Sequence, residues 1–475
     1  MKNRIFVITI TLSLLLSGLL ASVGGEAVDG KRSVSENGES YLQAAQEIHD
    51  WHDLDEVRDD LDSDYILMND LDENTSGYDE VVDTKKGWEP IGDYDRDEDV
   101  EFNGAFDGKG YKISDLYINR PKTDYVGLFG GIAHEAEVSD VRLVDVEIDE
   151  PDPTTHLAGL QSYDLAFESD NSIKSPPLVP PPSNSIGSIA GYNKGSLSNI
   201  SVTGIVNGKS GLVGYNSGTV EHSFFSGTLN GSEDHLGGLV GMNDGTIENS
   251  YSTGNIVGHY TVGGIVGFNH NGEVSNCYST TNVTGKSTVG GLVGSNYIHS
   301  GGISHSYAIG NVSGDSRIGG LAGTNTGTVE TSYAAVNVSG NEDVGGLVGF
   351  KTSYGGTVSD SFWDSEKSSI YTSVGGTGLP TREMIGEYAK ANMDGFDFDE
   401  TWETVEEDDG DADKDGYPIL QELSREEQLR HIYPAEVDDG GDDNGGDDNG
   451  IPGFTSPLLL SATVVAVAIY YERKR

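Results

Sequence analysis

A block of glycine, two aliphatic residues, glycine, one variable residue and asparagine returns every 24 to 29 residues or so. That period constrains the chain more tightly than any other feature, because units of this length mean stacked architecture. The copies are Gly211-Leu212-Val213-Gly214-Tyr215-Asn216, Gly238 to Asn243, Gly264 to Asn269, Gly291 to Asn296 and Gly320 to Asn325. A diverged copy, Gly187 to Gly191 with Tyr192-Asn193, precedes them, and a last one, Gly346 to Gly349, ends in Phe350-Lys351. A second block follows at a steady offset, as in Gly218-Thr219-Val220, Gly245-Thr246-Ile247 and Gly327-Thr328-Val329. Next comes a small residue with an aromatic one: Ser223-Phe224, Ser250-Tyr251, Cys277-Tyr278, Ser306-Tyr307, Ser332-Tyr333 and Ser361-Phe362. A third segment, such as Asn311-Val312-Ser313-Gly314, closes the unit. Three short β-type segments per unit, punctuated by glycine and asparagine, do not fit helices.

One such unit has apolar side chains on one face and nothing to bury them against, so units must stack. If each winds once and lies on its neighbour at about 4.8 Å, equivalent residues form ladders. Asn193, Asn216, Asn243, Asn269, Asn296 and Asn325 then fall in line, with side-chain amides bonding along the stack. Cys277 stands in a serine slot of one ladder and reads as a small semi-buried side chain rather than a redox or catalytic group. The expected architecture is all-β, a right-handed parallel β-helix or β-solenoid of roughly eight to ten coils with short helical or irregular caps. The stretch from Gln46 to Leu61, with Ile48, Trp51, Leu54, Val57 and Leu61 at near-helical spacing, is the candidate cap helix.

Charge and the two ends place the chain outside the cell. Asp and Glu total 78 against 28 Lys and Arg, a net charge of -50, which excludes nucleic acid as a partner because phosphate binding needs a basic surface. Self-repulsion of that size strains a compact fold in dilute buffer but is screened in molar salt, where the Debye length is about 3 Å. The charge therefore points to a hypersaline setting, with an ordinary acidic exported protein carrying a disordered tail as the alternative. Residues 1–27 read as a signal peptide: Lys2 and Arg4, an apolar run from Ile5 to Leu20, then small residues. A single cysteine permits no intramolecular disulfide. At the other end an acidic linker, 433–451, precedes Pro452-Gly453-Phe454, an apolar run from Leu458 to Tyr471 and the basic stop Arg473-Lys474-Arg475. The run spans roughly 21 Å as a helix, short of the ~30 Å hydrocarbon core. This order resembles the PGF-CTERM sorting signal of haloarchaeal surface proteins. The resemblance implies cleavage by an archaeosortase-like enzyme and a lipid on the new C-terminus.

The repeat itself resembles the GLUG motif of bacterial and archaeal surface proteins, for which a β-helix or related solenoid is expected. Upstream, Trp88 to Gly92 and Phe102 to Gly108 look like the entry coil of such proteins, and Tyr125 to Gly130 like a first repeat start lacking its Asn. Downstream, Ser361 to Asp364, Gly375 to Gly378, Trp402 and Tyr417 to Leu420 look like their closing segment. The organisation that follows is an acidic segment with the cap over 28–64, a solenoid over 65–365 with a proline-rich loop inserted at 150–185, and a closing segment over 366–432.

Little in the chain carries chemistry. His134-Glu135-Ala136-Glu137 is followed by Val138, which breaks the spacing of a zinc metalloprotease helix. His222 and His305 lie within repeat segments, where a surface or ladder role is expected. Asp411, Asp413 and Asp415 with Gly416 and Glu422 match the spacing of a calcium loop, in which alternate carboxylates and a distal Glu supply hard oxygen ligands. Pro418 and the absence of flanking helical patterns argue instead for a solvated acidic turn. Asn74, Asn199, Asn230, Asn282, Asn311 and Asn337 stand in sequons, candidate N-glycosylation sites in an exported protein, although the repeat's own turn explains the last three as well. The expected work is non-enzymatic: adhesion, surface binding or envelope structure, with the cell envelope or an S-layer as setting and a carbohydrate or protein as ligand. The rival is a β-helix enzyme acting on extracellular polysaccharide through clustered carboxylates and a basic residue.

Overall fold

The computed structural model describes residues 32–34, 40–42, 45–82, 85–94, 100–120, 122–149, 184–232, 234–297, 301–351, 355–406 and 415–432. These fall into two units divided between Leu379 and Pro380. The signal peptide, most of the inserted loop, the acidic linker and the tail with Pro452, Gly453 and Phe454 lie outside the described residues.

The first unit is an all-β solenoid of about eight turns. Its strands pair in parallel with their equivalents one turn away, giving four sheets that run along the stack. The Asn sheet holds eight strands, from Phe129–Ile132 through Val213–Asn216 and Val266–Asn269 to Val348–Phe350. The short sheet holds eleven three-residue strands such as Thr246–Glu248, and the long sheet carries seven-residue strands such as Tyr251–Val257. A fourth sheet of five strands, from Asp234–Gly237 to Glu342–Gly345, appears only in the later turns. The expected three segments per unit are thus arranged differently. The aromatic residue and the third segment belong to one continuous strand, and an additional strand precedes each glycine pair. The bend at that pair is backbone against backbone: a Cβ on Gly264 would lie 2.1 Å from the carbonyl of Gly291.

Leu212, Leu239, Ile265, Leu292 and Leu321 stack inside the coil with Val220, Ile247, Val274, Ile303 and Val329 from the short strands, all fully buried. Each rung removes several aliphatic side chains from water, worth about 1.5–3 kcal/mol apiece. No turn retains that gain without its neighbours.

The stack begins earlier than the expected boundary at residue 65. Gln46–Ile48 is a strand paired with Tyr65–Leu67, so the expected cap helix is shorter, Trp51–Glu56 with a 3-10 turn at Val57–Asp59. Ile48 is drawn into the ladder because pairing satisfies backbone groups that a free helix end would leave open. Asp50 caps the helix by accepting the N–H groups of His52 and Asp53. Trp51 and Leu54 lie buried beneath it, with Trp51 5.9 Å from Trp88. At the other end, Thr377–Leu379 pairs with Phe362–Asp364, so the stack reaches Leu379 and only the later part of the expected closing segment lies in the second unit. Beyond Asp149 the described chain resumes at Asn184, and Ser185–Ile186 pairs with Tyr125–Val126.

The second unit contains a helix, Gly386–Asn392, an antiparallel pair formed by Trp402–Val405 and Gly416–Leu420, and a helix, Arg425–Ile432. Buried Gln428 closes it, its Oε1 accepting the N–H of Leu420 and its Nε2 donating to the carbonyl of Leu420, each at 2.9 Å. Among the described residues no helix is long and apolar enough to cross a membrane.

Candidate binding surface

Three ladders fix which side chains can face outward. The Asn sheet carries the first. Nδ2 of each asparagine donates to Oδ1 of the next, from Asn193 through Asn216, Asn243, Asn269 and Asn296 to Asn325, at 2.8 to 3.0 Å. All six side chains are buried, so every donor must be satisfied inside the protein. The second ladder is hydroxylic. The amide N–H groups of Ile200, Ser223, Ser306 and Ser332 donate to Ser223, Ser250, Ser332 and Ser361 on the following turn at 3.0 to 3.1 Å. Cys277 occupies one rung, its N–H donating to Ser306 and its thiol to the carbonyl of Ser275. Burial pushes that thiol up to about 12, so it is neutral and unreactive. The third is aromatic. Phe224, Tyr251, Tyr278, Tyr307 and Tyr333 stack with centroids 4.8 to 5.1 Å apart and planes within 6°.

Outside these ladders the turns differ from one another. On the Asn sheet, the residue before each asparagine and the one after it point outward, and there Tyr192, Tyr215 and Met242 form a small cluster with Tyr125 of the strand Tyr125–Val126, separate from the main core, with Tyr94 and Phe268 packed against it. Tyr94 meets Tyr192 edge-on at 4.7 Å, and Tyr192 meets Tyr215 at 5.1 Å. Lys194 pairs with Glu101 and sits over the rings of Tyr94 and Tyr192. Ser217 Oγ donates to the Tyr192 hydroxyl at 3.1 Å. Tyr215 donates to Asp244, whose other oxygen meets His270 Nδ1 at 2.8 Å. Burial works to raise the Asp244 carboxyl, and the hydrogen bonds from His270 and Tyr215 outweigh it, leaving the group below the usual carboxylate range. Burial, reinforced by Asp244, raises the Tyr215 hydroxyl well above its ordinary value. The imidazole of His235 lies 4.9 Å from the ring of Phe268 and is held neutral, lowered to about 3 by burial and by the charge of Lys209. These groups were missed in the sequence because none repeats. The signal was the pair of variable positions flanking each constant asparagine.

The sequence-derived candidates are scattered. Asp411 and Asp413 lie outside the described residues. Asp415 sits with its carboxylate against Gly386, and Glu422 is exposed on the turn after Leu420. Among the described residues no group of three or more His, Cys, Asp or Glu is placed to hold a metal ion. Of the sequons, Asn74 is exposed in a turn and Asn199 at the left-handed corner before a long strand. Asn282, Asn311 and Asn337 lie mid-strand on the outer side of the long sheet, exposed and joined with Asn255 in a second amide ladder at 2.6 to 3.0 Å. Asn230 is half-buried beside Asn207. His222 and His305 occupy left-handed corner positions equivalent to that of Asn199.

The GLUG motif matches residues 234–257 and 258–284. A segment of 57 residues is 42% identical to a protein of Evansella cellulosilytica assigned as a Gly-rich membrane protein, covering 12% of this chain and 6% of that one. A segment of 124 residues is 29% identical to Halomucin of Haloquadratum walsbyi, covering 26% of this chain and 1% of that one. The chain thus spans a small fraction of the length of either relative. Among solved structures, a protein of Bacteroides ovatus assigned as an immunoglobulin A1 protease is similar at 17% identity with a TM-score of 0.40, over 80% of this chain and 93% of that one. A second structure, an IgA1 protease, is similar at 16% identity with a TM-score of 0.34, over 66% of this chain and 21% of that one.

Proposed function

We propose that this chain is an exported repeat protein, anchored in the cell envelope, that works in adhesion, surface binding or envelope structure rather than in catalysis. The observation that carries this reading is the unbroken buried asparagine ladder from Asn193 to Asn325. A framework so regular holds its outward columns in a fixed lattice, which suits display and repeated weak contacts. The names of the two relatives, a Gly-rich membrane protein and Halomucin, support a surface or membrane location. Anchoring would follow processing at Pro452-Gly453-Phe454 by an archaeosortase-like enzyme.

Mass spectrometry of the protein isolated from its native envelope, combined with protease treatment of intact cells, tests this. A start near Val28, a lipid-bearing end near Pro452 and loss of the protein on external proteolysis are expected. An intact end at Arg475 would remove the sorting step and leave a membrane-tethered solenoid. Protection from external protease, or release of reducing ends from envelope polysaccharide by the purified protein, would overturn the reading.

A further inference from the structure

Midway along the stack a trough runs across successive turns, from the corner at His134–Glu137 to that at Gly245–Thr246. After the ladder asparagine, the chain reaches the short sheet through one residue and a glycine: Asn193-Lys194-Gly195, Asn216-Ser217-Gly218 and Asn243-Asp244-Gly245. These glycines press directly on the turn before. A Cβ at Gly195 would lie 2.4 Å from the carbonyl of Ala136, and one at Gly218 or Gly245 would lie 2.1 Å from the carbonyl of the glycine below. No side chain can stand in that column, so the floor of the corner is bare backbone and the open space lies outside it. In the next turn the spacing lengthens to Asn269-His270-Asn271-Gly272, with Asn271 bonded to His270 at 3.0 Å, and the lining of the trough ends at Gly245 and Thr246. The trough runs from His134 and Glu137 to Thr246. It holds about 400 Å³, within the ordinary range of small-ligand sites, and its four rungs span about 14 Å at ~4.8 Å each.

Its two walls differ. On one side stand hydroxyls from the outer face of the short sheet, Ser196, Thr219 and Thr246, in register on successive rungs. On the other stand Lys194, whose ammonium covers the rings of Tyr94 and Tyr192, and Ser217. We propose that this trough binds a neutral polysaccharide chain lying along the stack. Rows of serine and threonine hydroxyls, each both donor and acceptor, suit the hydroxyls of a sugar chain. The neutral class follows from charge. Lys194 is already paired with Glu101, Glu135 and Glu137 border the trough, and a chain of net charge -50 repels a polyanion.

This inference rests on the surface-binding reading and names its ligand class and site. The test is calorimetric and electrophoretic binding of the full secreted chain to soluble glucan and mannan, with alginate as the anionic comparison, in low and in molar salt. Expected are saturable binding to a neutral polymer that persists in molar salt and at least a tenfold loss in Thr219→Trp, which fills the trough. Thr328→Trp, the same column beyond the end of the trough, should bind as the parent does, with circular dichroism confirming both folds. Binding of alginate alone, or an unchanged Thr219→Trp, would overturn the trough. If the chain still adheres to native envelope preparations in that case, the surface reading stands without it; adherence to neither polymers nor envelope removes both.

Discussion

Asparagines in this protein do one job in two surroundings, and the difference is measurable. Asn269 is fully buried and mid-ladder, so Asn269→Ala strands the donor of Asn243 and the acceptor of Asn296. Each orphaned group costs about 1–3 kcal/mol, and the variant should lose about 2–4 kcal/mol in denaturant unfolding. Asn282 bonds to Asn255 and Asn311 by the same geometry but in water's reach, so Asn282→Ala should stay within about 0.5 kcal/mol. Equal losses would mean that burial does not set the ladder's worth. Cys277 makes a second residue-level case. Burial, with a smaller push from the charge of Glu248, raises its thiol from 9.0 to about 12. The folded state holds the proton more tightly than the unfolded one, so this stability is complete below pH 9 and is lost as pH rises from 9 toward 12. On the acid side, His235 is lowered from 6.5 to about 3, chiefly by burial and then by Lys209. The unfolded chain then binds the extra proton, and stability falls as pH drops from 6.5 toward 3. Because the chain has one cysteine, alkylation reports the thiol directly. At pH 9 the native protein should react far more slowly than the denatured one, and Cys277→Ser should keep the melting temperature at neutral pH. Rapid native labelling would contradict the burial argument.

The constant residues of each repeat were legible in the sequence because a ladder admits one chemistry per column: asparagine, serine with its cysteine exception, and the aromatic column from Phe224 to Tyr333. Two elements were not legible. The fourth sheet was hidden because strands such as Ser287–Gly290 carry few residues and end in the glycine pair that marks the next repeat. The corners before the long strands were hidden because their requirement is conformational. Asn199, His222, Asn249, Asn276, His305 and Thr331 all take φ between 44° and 54°, which is tolerated by Asn, Asp and His and poorly by β-branched residues. Thr331→Asn should therefore stabilise the stack by about 0.5–1 kcal/mol, and a loss would show that the threonine side chain has packing value at that corner. The same local geometry orders the sequons. Asn74 and Asn199 present their amides from a turn and a corner, whereas Asn282, Asn311 and Asn337 sit on successive rungs about 4.8 Å apart with amides already engaged. Glycopeptide mapping of the native protein should find the first two occupied ahead of the ladder three, and no molecule with glycans on all three adjacent rungs. Full occupancy of the ladder would mean that modification precedes strand stacking.

At the scale of the whole molecule, stacking and charge pull against each other. Parallel pairing places equivalent residues about 4.8 Å apart, so any acidic residue that recurs meets its own copy: Glu221 lies in register with Glu248 on the outer side of the short sheet. With a net charge of -50 over the chain, such repulsions sum, and the hydrophobic gain of each rung must exceed them. Added KCl shortens the Debye length from about 30 Å at 0.01 M to about 3 Å at 1 M. The melting temperature should rise steeply across that interval and then level off, since screening is by then shorter than the rung spacing. A rise that continues linearly into several molar salt would point instead to solvent exclusion strengthening apolar burial. That outcome would place the salt requirement in the core of the coil rather than in its acidic surface.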